Sequence, residues 1–562
     1  MADIITRLYS NFRGVDFRGE EINLIRSPDS LNMWKDYRKT ESIRTRPGMK
    51  PIKTTVKMYG IHPYKTGSRD TLILHAGKTL IEYFINSDGY TNVLYTNANE
   101  SYSNSFVFND IFYFKDGANY LQYDGTTVKE VEGYIPTTSI GRKPAGGGTK
   151  SEDVNLLSSR RINTFVGDGT SKRFYLDAQN IDSTEVIVKV NDEAIESSKY
   201  TVVTKDGTVE FITAPKAPRT DGQDNVSIEF SKTVEGYSDR IKKCTLLQVF
   251  DNRVFFSGNK DFPNTIWHCS LNDPSYCSDL DYYNEGLDEA EVKGLVAGNN
   301  VLWVFREPSH ENTTVFYHTP TIDSEYGKIY PNTHSSISIG CIGKAINFND
   351  DIVFFSSRGM EGISGDITTE QVIAHRSTLV DCKLIAEENY ENMILAEWEG
   401  YLMVFIDDKV YLADSRSVFT NENHIEYEWF YWELDKKITC VKEYKGVLYL
   451  GTEDGLYTLT DTSANVESYW VTPKDKFNNP HKLKTTNKRG CVAEAEGDIS
   501  VYAKLEDTEF ELIGTYEKVE DYFVSRIKRK KFKDIQLKFH SNTRFSLETI
   551  SLEAFIGGYI KR

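Results

Sequence analysis

Neighbouring carboxylates are the residues whose type and spacing could most directly do chemistry in this chain. They occur as the pairs Asp350/Asp351, Glu387/Glu388 and Asp407/Asp408. Two carboxylates at a suitable separation can carry out glycoside hydrolysis. With 83 Asp and Glu among 562 residues, however, such pairs are expected by chance. We therefore interpret them as solvated turns.

Motifs for nucleophilic, phosphate-binding and zinc chemistry are each incomplete. The stretch Gly362-Ile-Ser-Gly-Asp366 departs from the G-x-S-x-G nucleophile elbow at its last position. The stretch Gly146–Lys150 lacks the spacing of a phosphate-binding loop. The 10 histidines contain no H-x-x-x-H pair, which is the usual spacing of zinc ligands on one helix.

An acidic stretch could bind Ca²⁺ through its carboxylates. Its acids are Asp279, Asp281, Glu285, Asp288, Glu289 and Glu291. They lack the Asp-x-Asp-x-Asp-Gly order of an EF-hand, and we therefore favour a solvated acidic loop. From all these motifs we expect no catalytic residue, no metal and no cofactor, and therefore a protein that is not an enzyme.

The densest basic run lies near the end of the chain. Its cations are Arg526, Lys528, Arg529, Lys530, Lys531 and Lys533. They could contact DNA phosphates or an acidic neighbouring subunit. The alternative, which we favour, is that they protect a solvated edge strand from aggregation. The sequence leaves both interpretations open.

The net charge of −17 is distributed unevenly along the chain. Residues 1–53 carry a net charge of +4, as do residues 473–562, and residues 141–236 carry −2. The remainder, 54–140 with 237–472, carries −23. An acidic total argues against a protein that coats nucleic acid. The segments nevertheless differ enough in charge to indicate different roles.

A repeat of short strands accounts for the acidic part of the chain. Each unit is a polar turn, a strand of five or six apolar residues, a second turn and another short strand. The first core residues of the units are Leu72, Ile111, Val254, Val301, Ile352, Leu402 and Val447. Most spacings lie between 39 and 51 residues, which is typical of β-propeller blades. We predict an all-β fold, a β-propeller of six or seven blades, with a pair of β-sandwiches as the alternative.

One spacing of 143 residues, between Ile111 and Val254, is too long for a blade. It predicts an inserted domain over 141–236, where alternating strands and Gly/Asn/Asp turns indicate a small β-sandwich. The propeller then occupies 54–140 and 237–472. After residue 473 the repeat stops, and further strand patterns predict a C-terminal β-domain over 473–562.

The first 53 residues have little regular periodicity and several cations, including Arg38, Arg44 and Arg46. We predict an extended arm that contacts another subunit or an adaptor. On this interpretation, deletion of residues 1–53 leaves a folded monomer that no longer assembles.

Cysteine usage and hydropathy indicate a reducing compartment. The 7 cysteines are odd in number and form no C-x-x-C pair, so we expect reduced core residues. No apolar stretch approaches the roughly 20 residues that span a bilayer. The first residues lack the pattern of a signal peptide.

The inserted segment resembles a small module common in bacteriophage tail and virion proteins. The pattern is F-x-G-D-G-T, F-x-L, V-x-V-N, Y-T-V, V-x-F-x-T-A-P and V-x-I-x-F. The matching stretches, in order, are Phe165–Thr170, Phe174–Leu176, Val188–Asn191, Tyr200–Val202, Val209–Pro215 and Val226–Phe230. Their order and turn residues agree across about 70 residues.

The whole chain is similar to the packaged-DNA stabilisation, or tail hub and nozzle, proteins of tailed phages. The stretches that carry this resemblance are Ser27–Trp34, Arg44–Gly48, Asn155–Arg161, Phe256–Asn264, Ser270–Tyr276, Ser525–Ile527 and Phe532–Phe539. Such proteins form a ring below the portal and adaptor, retain packaged DNA and let it exit during infection, and tail fibres or other tail proteins attach outside.

The resemblance therefore implies a structural protein of the virion tail that assembles in the host cytoplasm. It implies a homo-oligomeric ring, with a hexamer expected, and transient non-specific contact with genomic DNA. Acidic walls would then keep DNA from adhering as it slides. The alternative is a tail-associated receptor-binding or carbohydrate-active propeller, since propellers often host glycosidases. A cellular propeller scaffold is a third interpretation.

Overall fold

The structure, a computed structural model, describes residues 4–19, 23–38, 42–67, 69–85, 89–311, 313–324, 327–364, 372–421, 424–461, 465–528 and 530–559. Across these ranges, seven sheets have four strands each. We number these sheets blades 1 to 7. Blade 1 is Met58–Lys65, Asp70–Ala76, Thr79–Phe84 and Thr91–Tyr95. Blade 2 is Asn104–Phe108, Ile111–Lys115, Tyr120–Tyr123 and Val128–Glu130.

The other five blades follow the insertion. Blade 3 is Leu246–Phe250, Arg253–Ser257, Thr265–His268 and Tyr282–Asn284. Blade 4 is Val292–Gly298, Val301–Arg306, Val315–His318 and Asn332–His334, with a hairpin of Thr321–Asp323 and Gly327–Ile329. Blade 5 is Ala345–Phe348, Asp351–Ser356, Gly359–Ser364 and Val372–His375. Blade 6 is Ile394–Trp398, Tyr401–Ile406, Lys409–Asn421 and His424–Glu433. Blade 7 is Ile438–Tyr444, Val447–Thr452, Gly455–Thr460 and, from the N-terminal region, Gly48–Thr54.

The β-propeller class predicted from the repeat is confirmed. The positions that define the repeat each fall in the second strand of a blade: Leu72, Ile111, Val254, Val301, Ile352, Leu402 and Val447. Several of these strands carry long apolar runs and are buried on both faces, as in Val301–Arg306, which is apolar up to Phe305, and Tyr401–Ile406. The faces pack against neighbouring blades, for example Phe355 of blade 5 with Leu402 of blade 6 in one hydrophobic cluster.

The polar turns of the repeat are tight hairpins between the first and second strands. In blade 2, both Asn109 and Asp110 have positive φ, 48° and 63°. Blade 4 repeats this at Asn299 and Asn300, with φ of 54° and 60°. Two successive residues with positive φ are the type I′ turn that matches the twist of a hairpin, and Asn and Asp tolerate it best.

The chain divides into two compact units, which we describe separately. The first contains residues 1–63, 70–93 and 335–562, and the second contains 64–69 and 94–334. The helices are few and short in the described ranges: α-helices Tyr237–Lys242 and Asp381–Leu384, and 3₁₀ helices Ser197–Lys199 and Tyr390–Asn392. No helix among the described residues is long and apolar enough to cross a membrane.

The insertion in the second unit consists of two sheets. The six-stranded sheet runs in the order Thr149–Lys150, Thr137–Arg142, Arg160–Phe165, Val226–Ser231, Ile187–Val190 and Glu193–Ala194. The three-stranded sheet is Arg173–Tyr175, Thr208–Phe211 and Tyr200–Val203. Phe165, Phe174 and Phe211 pack edge to face within their shared core. The aromatic positions of the phage-module pattern thus form this core.

The C-terminal sheet of the first unit has 11 strands in the described residues. Its C-terminal strands are Ser468–Val471, Lys482–Leu505, Glu511–Val519, Tyr522–Ser525, Lys531–Phe532, Ile535–Ser541 and Phe545–Tyr559. Its N-terminal strands are Ile4–Tyr9, Ser30–Leu31, Met33–Lys35 and Ile43–Thr45. A separate pair, Gly14–Val15 with Arg26–Ser27, lies between them in sequence. The long strand Lys482–Leu505 pairs with five others and organises the sheet.

The N-terminal region differs from the extended arm predicted over residues 1–53. Strand Ile4–Tyr9 pairs with Phe545–Tyr559, and Gly48–Thr54 pairs with Gly455–Thr460 to complete blade 7. Met33 and Trp34 are buried in the core that blade 6 shares with the C-terminal sheet. The local sequence has little periodicity because these strands are mostly two to seven residues long and obtain their partners from the other end of the chain.

Candidate functional site

The described part of the basic run predicted as a contact surface lies mostly between strands Tyr522–Ser525 and Lys531–Phe532 of the C-terminal sheet. After Tyr522, buried and exposed residues alternate: Phe523, Ser525 and Ile527 are buried, whereas Arg526 and Lys528 are exposed. Alternation with period two is the geometry of a strand with one face on the core. The segment is therefore anchored, and its cations project into solvent.

Two contacts from the long strand hold this segment in place. Gly490 has φ of +73°, and a Cβ there would lie 2.2 Å from the Ser525 carbonyl oxygen, so only glycine permits this close approach. The Lys484 Nζ donates hydrogen bonds to the Lys533 and Asn479 carbonyls, each at 2.6 Å. Burial lowers the pKa of Lys484. Lys484 thus supports the run from beneath as a structural cation.

The exposed cations of the run are poorly neutralised. Lys530 Nζ lies 4.0 Å from Glu511 Oε1, at the limit of an ion pair. Within the described residues, no carboxylate oxygen lies within 4.0 Å of a side-chain nitrogen of the other cations, Arg526, Lys528, Lys531 and Lys533. Arg529, also predicted here, lies outside the described residues. The run can therefore still accept an anionic partner.

A cavity of about 290 Å³ opens beside the run. Its lining comes from the end of strand Lys482–Leu505, the following turn, the start of Glu511–Val519 and the basic run itself. The lining residues are Ala503, Leu505, Glu506, Thr508, Glu511, Leu512, Ile513, Arg526, Ile527, Lys528, Lys530 and Lys531. The cavity thus joins an aliphatic floor to a mainly cationic rim. The sequence did not predict it, although the alternation over residues 522–528 marks Ile527 as inward-facing.

The three arginines predicted as assembly contacts bind within the chain. Arg46 is 1% exposed and donates to Asn32 Oδ1, the Pro47 carbonyl and the Glu433 carbonyl at 2.8–2.9 Å. Burial lowers the pKa of Arg46 to about 10. Its side chain is therefore a structural cation of the fold and is not available to another subunit.

The side chains of the other two arginines are less buried than that of Arg46 and bind fewer of the described residues of the chain. Arg44 donates to Ser42 Oγ at 2.9 Å from a strand inside the C-terminal sheet. Arg38 is half exposed and forms ion pairs with Asp36 at 3.0 Å and Glu399 at 2.9 Å. Arg38 alone of the three retains an exposed guanidinium of the kind that an assembly contact requires.

Asp350 and Asp407 lie in turns, as expected, but one member of each carboxylate pair also accepts hydrogen bonds from elsewhere in the chain. Asp351 accepts hydrogen bonds from Arg376 Nε at 2.8 Å and Tyr427 Oη at 2.6 Å. Glu387 accepts from Lys409 and Tyr411, each at 2.7 Å. Asp407 accepts from Asn389 at 2.7 Å. These carboxylates stabilise the blades.

Acids of the stretch at residues 279–291 likewise form contacts within the second unit. Glu285 is fully buried and contacts His318 Nε2 at 2.9 Å, and Asp288 contacts the buried Arg306. No group of three or more His, Cys, Asp or Glu in the described ranges is arranged to hold a metal ion. Burial raises the pKa of the Asp281 carboxyl to about 6.

A cluster around His375 of blade 5, in which Glu361 is buried and His375 and Asp381 are partly exposed, was missed by sequence reasoning. His375 lies between Glu361 Oε2, 3.2 Å from Nδ1, and Asp381 Oδ2, 2.7 Å from Nε2. Ser377 Oγ donates to Asp381 Oδ1 at 2.6 Å. Glu361 is fully buried, so substrate has no access to its carboxylate. No sequence signal marks this cluster because its members, at positions 361, 375, 377 and 381, are unevenly spaced.

The cysteines are free in the described residues. Six of them are buried, and Cys382 is exposed. Burial raises the pKa of the Cys244, Cys440 and Cys491 thiols to about 12. Thiols of this kind are unreactive core residues.

Comparison with known proteins shows similarity in fold alone. No family model matches the chain, and no curated protein matches it. Among solved structures, BamB from Moraxella catarrhalis is 11% identical, with a TM-score of 0.33, over 73% of this chain and 97% of that one. A glycoside hydrolase is 6% identical, with a TM-score of 0.22, over 89% of this chain and 100% of that one.

An exo-β-1,3-galactanase from Phanerochaete chrysosporium is 9% identical, with a TM-score of 0.21, over 54% of this chain and 94% of that one. The presence of glycoside hydrolases among the similar structures corrects the expectation that this chain is not an enzyme. Incomplete motifs do not exclude an enzyme. At these identities the likeness assigns no activity to this chain.

Proposed function

We propose that this chain is a structural protein of a tailed-bacteriophage virion. It assembles with copies of itself into a ring below the portal and adaptor, retains packaged DNA and provides its exit channel. The observation that supports this best is the segregation of charge. The C-terminal sheet presents exposed cations with few carboxylate partners, whereas residues 54–140 and 237–472 carry −23.

This segregation suits a self-assembling tail component in two ways. Cationic and acidic surfaces on the same chain attract one another between copies, which favours assembly and fixes its orientation. The acidic segments repel DNA phosphates wherever they face them, so that DNA slides instead of adhering. The resemblance of the insertion to phage tail modules supports the same proposal.

Electron microscopy of the purified chain tests this function, together with mass measurement in solution. We expect a ring, with six copies as the expected number. Reversing two charges of the run, Lys528→Glu with Lys530→Glu, should abolish the ring. The matched control is Lys199→Glu with Lys205→Glu, two exposed lysines of the insertion, which changes the net charge equally and should leave the ring intact.

Two results would overturn the proposal. One is a wild-type chain that stays monomeric at all concentrations. The other is a monomer or trimer that binds or cleaves a host glycan, which would support a tail-associated receptor-binding or carbohydrate-active propeller instead.

A further inference from the structure

We propose that the cavity beside the basic run binds Leu287, together with the acidic residues next to it, from a second copy of this chain. The inference rests on the proposed function, because it names the contact through which copies join. It is carried by an exposed apolar side chain on an acidic loop and by a cavity of complementary chemistry elsewhere on the chain.

Leu287 is the apolar half of this contact. It lies in the loop between strands Tyr282–Asn284 and Val292–Gly298, and its side chain is 98% exposed. A leucine side chain that is left in water forgoes the free energy that burial would supply. Among the described large hydrophobic residues, Leu287 is the most exposed, followed by Ile322.

The backbone around Leu287 is held in place. The backbone N–H groups of Leu287 and Asp288 both donate to Glu311 Oε1, at 2.5 Å and 2.7 Å. Glu311 and Asp288 are in turn bound by the fully buried Arg306. The loop therefore presents Leu287 from a fixed position, and little conformational entropy is lost when it binds.

The charges on the two surfaces are complementary. Beside Leu287 the loop carries Asp288, Glu289 and Glu291. Asp288 pairs with Arg306 and Glu291 with Lys293, whereas Glu289 is exposed. The rim of the cavity carries the four cations Arg526, Lys528, Lys530 and Lys531 against the two acids Glu506 and Glu511. Opposite charges around an apolar centre orient two surfaces and accelerate their encounter.

The floor of the cavity favours an aliphatic side chain over a nucleic acid base. Leu505, Leu512, Ile513 and Ile527 line it, and no aromatic side chain does so among the described lining residues. Proteins that hold single strands stack bases on aromatic rings. The volume of about 290 Å³ is at the lower limit of ligand pockets, which suits one or two side chains.

Ile322 is a second, strongly exposed aliphatic residue and provides a comparison. It is 85% exposed in the hairpin of blade 4. Its cross-strand neighbour is Lys328, whose charge would oppose the cationic rim. Leu287 is therefore the better complement, and Ile322 serves as the matched control.

The proposed contact joins two different surfaces, so each copy offers one of each. Head-to-tail contacts of this type produce a ring when the rotation between copies closes, and a filament when it does not. The inference thus explains how copies that each carry the Leu287 loop and the cavity beside the basic run could form the ring of the proposed function.

Single substitutions give the first test, with the dissociation constant of assembly measured by analytical ultracentrifugation. Leu287→Ala should weaken association by roughly 10-fold to 100-fold, as expected for losing a buried leucine. Ile322→Ala should change it by less than about twofold. Wild-type assembly by Leu287→Ala would overturn the inference while leaving the proposed function in place.

Mixing two defective variants gives the decisive test. One variant, Leu287→Asp, lacks the loop side chain but keeps the cavity. The other, Lys528→Glu with Lys530→Glu, lacks the cationic rim but keeps Leu287. Each alone should be monomeric, and an equal mixture should form a dimer and nothing larger, because only one functional contact remains.

The remaining outcomes separate this inference from the proposed function. A ring from the wild type with no dimer from the mixture rejects the inference alone. A wild type that never assembles rejects both. A third outcome would identify the cavity as a DNA site and show that the inference is wrong. In that outcome a labelled DNA duplex binds the wild type, and the double variant Lys528→Glu with Lys530→Glu abolishes this binding. The variant Leu287→Asp, in contrast, still assembles.

Discussion

The residue type of Arg46 suggests a contact on the surface. Its buried surroundings instead give it a structural role. It is 1% exposed, and its guanidinium binds one side-chain oxygen and two backbone carbonyls. We expect Arg46→Met to lower the free energy of unfolding by about 2–4 kcal/mol, because buried acceptors lose their donor. Urea unfolding measures this.

Arg38 provides the control for Arg46. It lies in the same N-terminal region and has two ion pairs, but its side chain is 55% exposed. Exposed pairs contribute little, so Arg38→Met should cost less than about 1 kcal/mol. Equal effects of the two substitutions would contradict a structural role specific to Arg46.

His375 predicts a pH dependence of stability. Burial lowers its pKa, but hydrogen bonds to Asp381 and Glu361 outweigh burial and raise the pKa to about 10. The folded state therefore favours the protonated imidazole more than the unfolded state does. The resulting stabilisation is fully present below the unfolded pKa of about 6.5 and is lost as pH rises to about 10.

The variant His375→Gln isolates this effect. The difference in free energy of unfolding between wild type and His375→Gln should be largest near pH 6 and should shrink towards pH 10. The exposed His334 supplies the control, since His334→Gln should show no such trend. A difference that grows with pH would contradict the assignment of His375 as a charged bridge.

Among the strands and turns, the sequence predicted the features that depend on the local pattern of residues. Asn109 and Asp110 marked a hairpin because only a few residue types tolerate positive φ in succession. The pairing of Gly48–Thr54 with Gly455–Thr460 was not predictable, because strand partners about 400 residues apart leave no mark on local periodicity. The basic run was visible from composition, but the cavity required Leu505 and Leu512 to meet Ile527 in space.

The pairing of strand Gly48–Thr54 leads us to expect that truncation unfolds the chain. This reverses the expectation from the sequence that truncation leaves a folded monomer. Deletion of residues 1–54 removes the fourth strand of blade 7 and exposes the edge of Gly455–Thr460. An unpaired edge with an open core is prone to aggregation. We expect loss of the cooperative thermal transition, measured by circular dichroism.

A shorter deletion provides the comparison for this truncation. Removing residues 1–9 takes away only the edge strand Ile4–Tyr9, so it should lower the transition midpoint while keeping the transition cooperative. A folded monomer after deletion of residues 1–54 would contradict the structural role of the N-terminal strands and would restore the interpretation as an arm.

At the scale of the whole molecule, charge and apolar burial contribute differently to the proposed contact between copies. The cationic rim of the cavity and the acidic loop act at a distance, and this attraction is screened by salt. Leu287 acts only on contact, and burial of apolar surface is not weakened by salt in this way. The two contributions can therefore be separated by varying ionic strength.

Raising the salt concentration from about 0.1 M to about 1 M shortens the screening length from about 10 Å to about 3 Å. Assembly of the wild type should weaken by roughly tenfold over this range without disappearing. Leu287→Ala should bind more weakly at every salt concentration but keep the same salt dependence. Lys528→Glu should flatten that dependence, because it removes the attraction that salt screens. Sedimentation at several salt concentrations measures all three, and a Leu287→Ala variant with an altered salt dependence would show that Leu287 is not the apolar part of the contact.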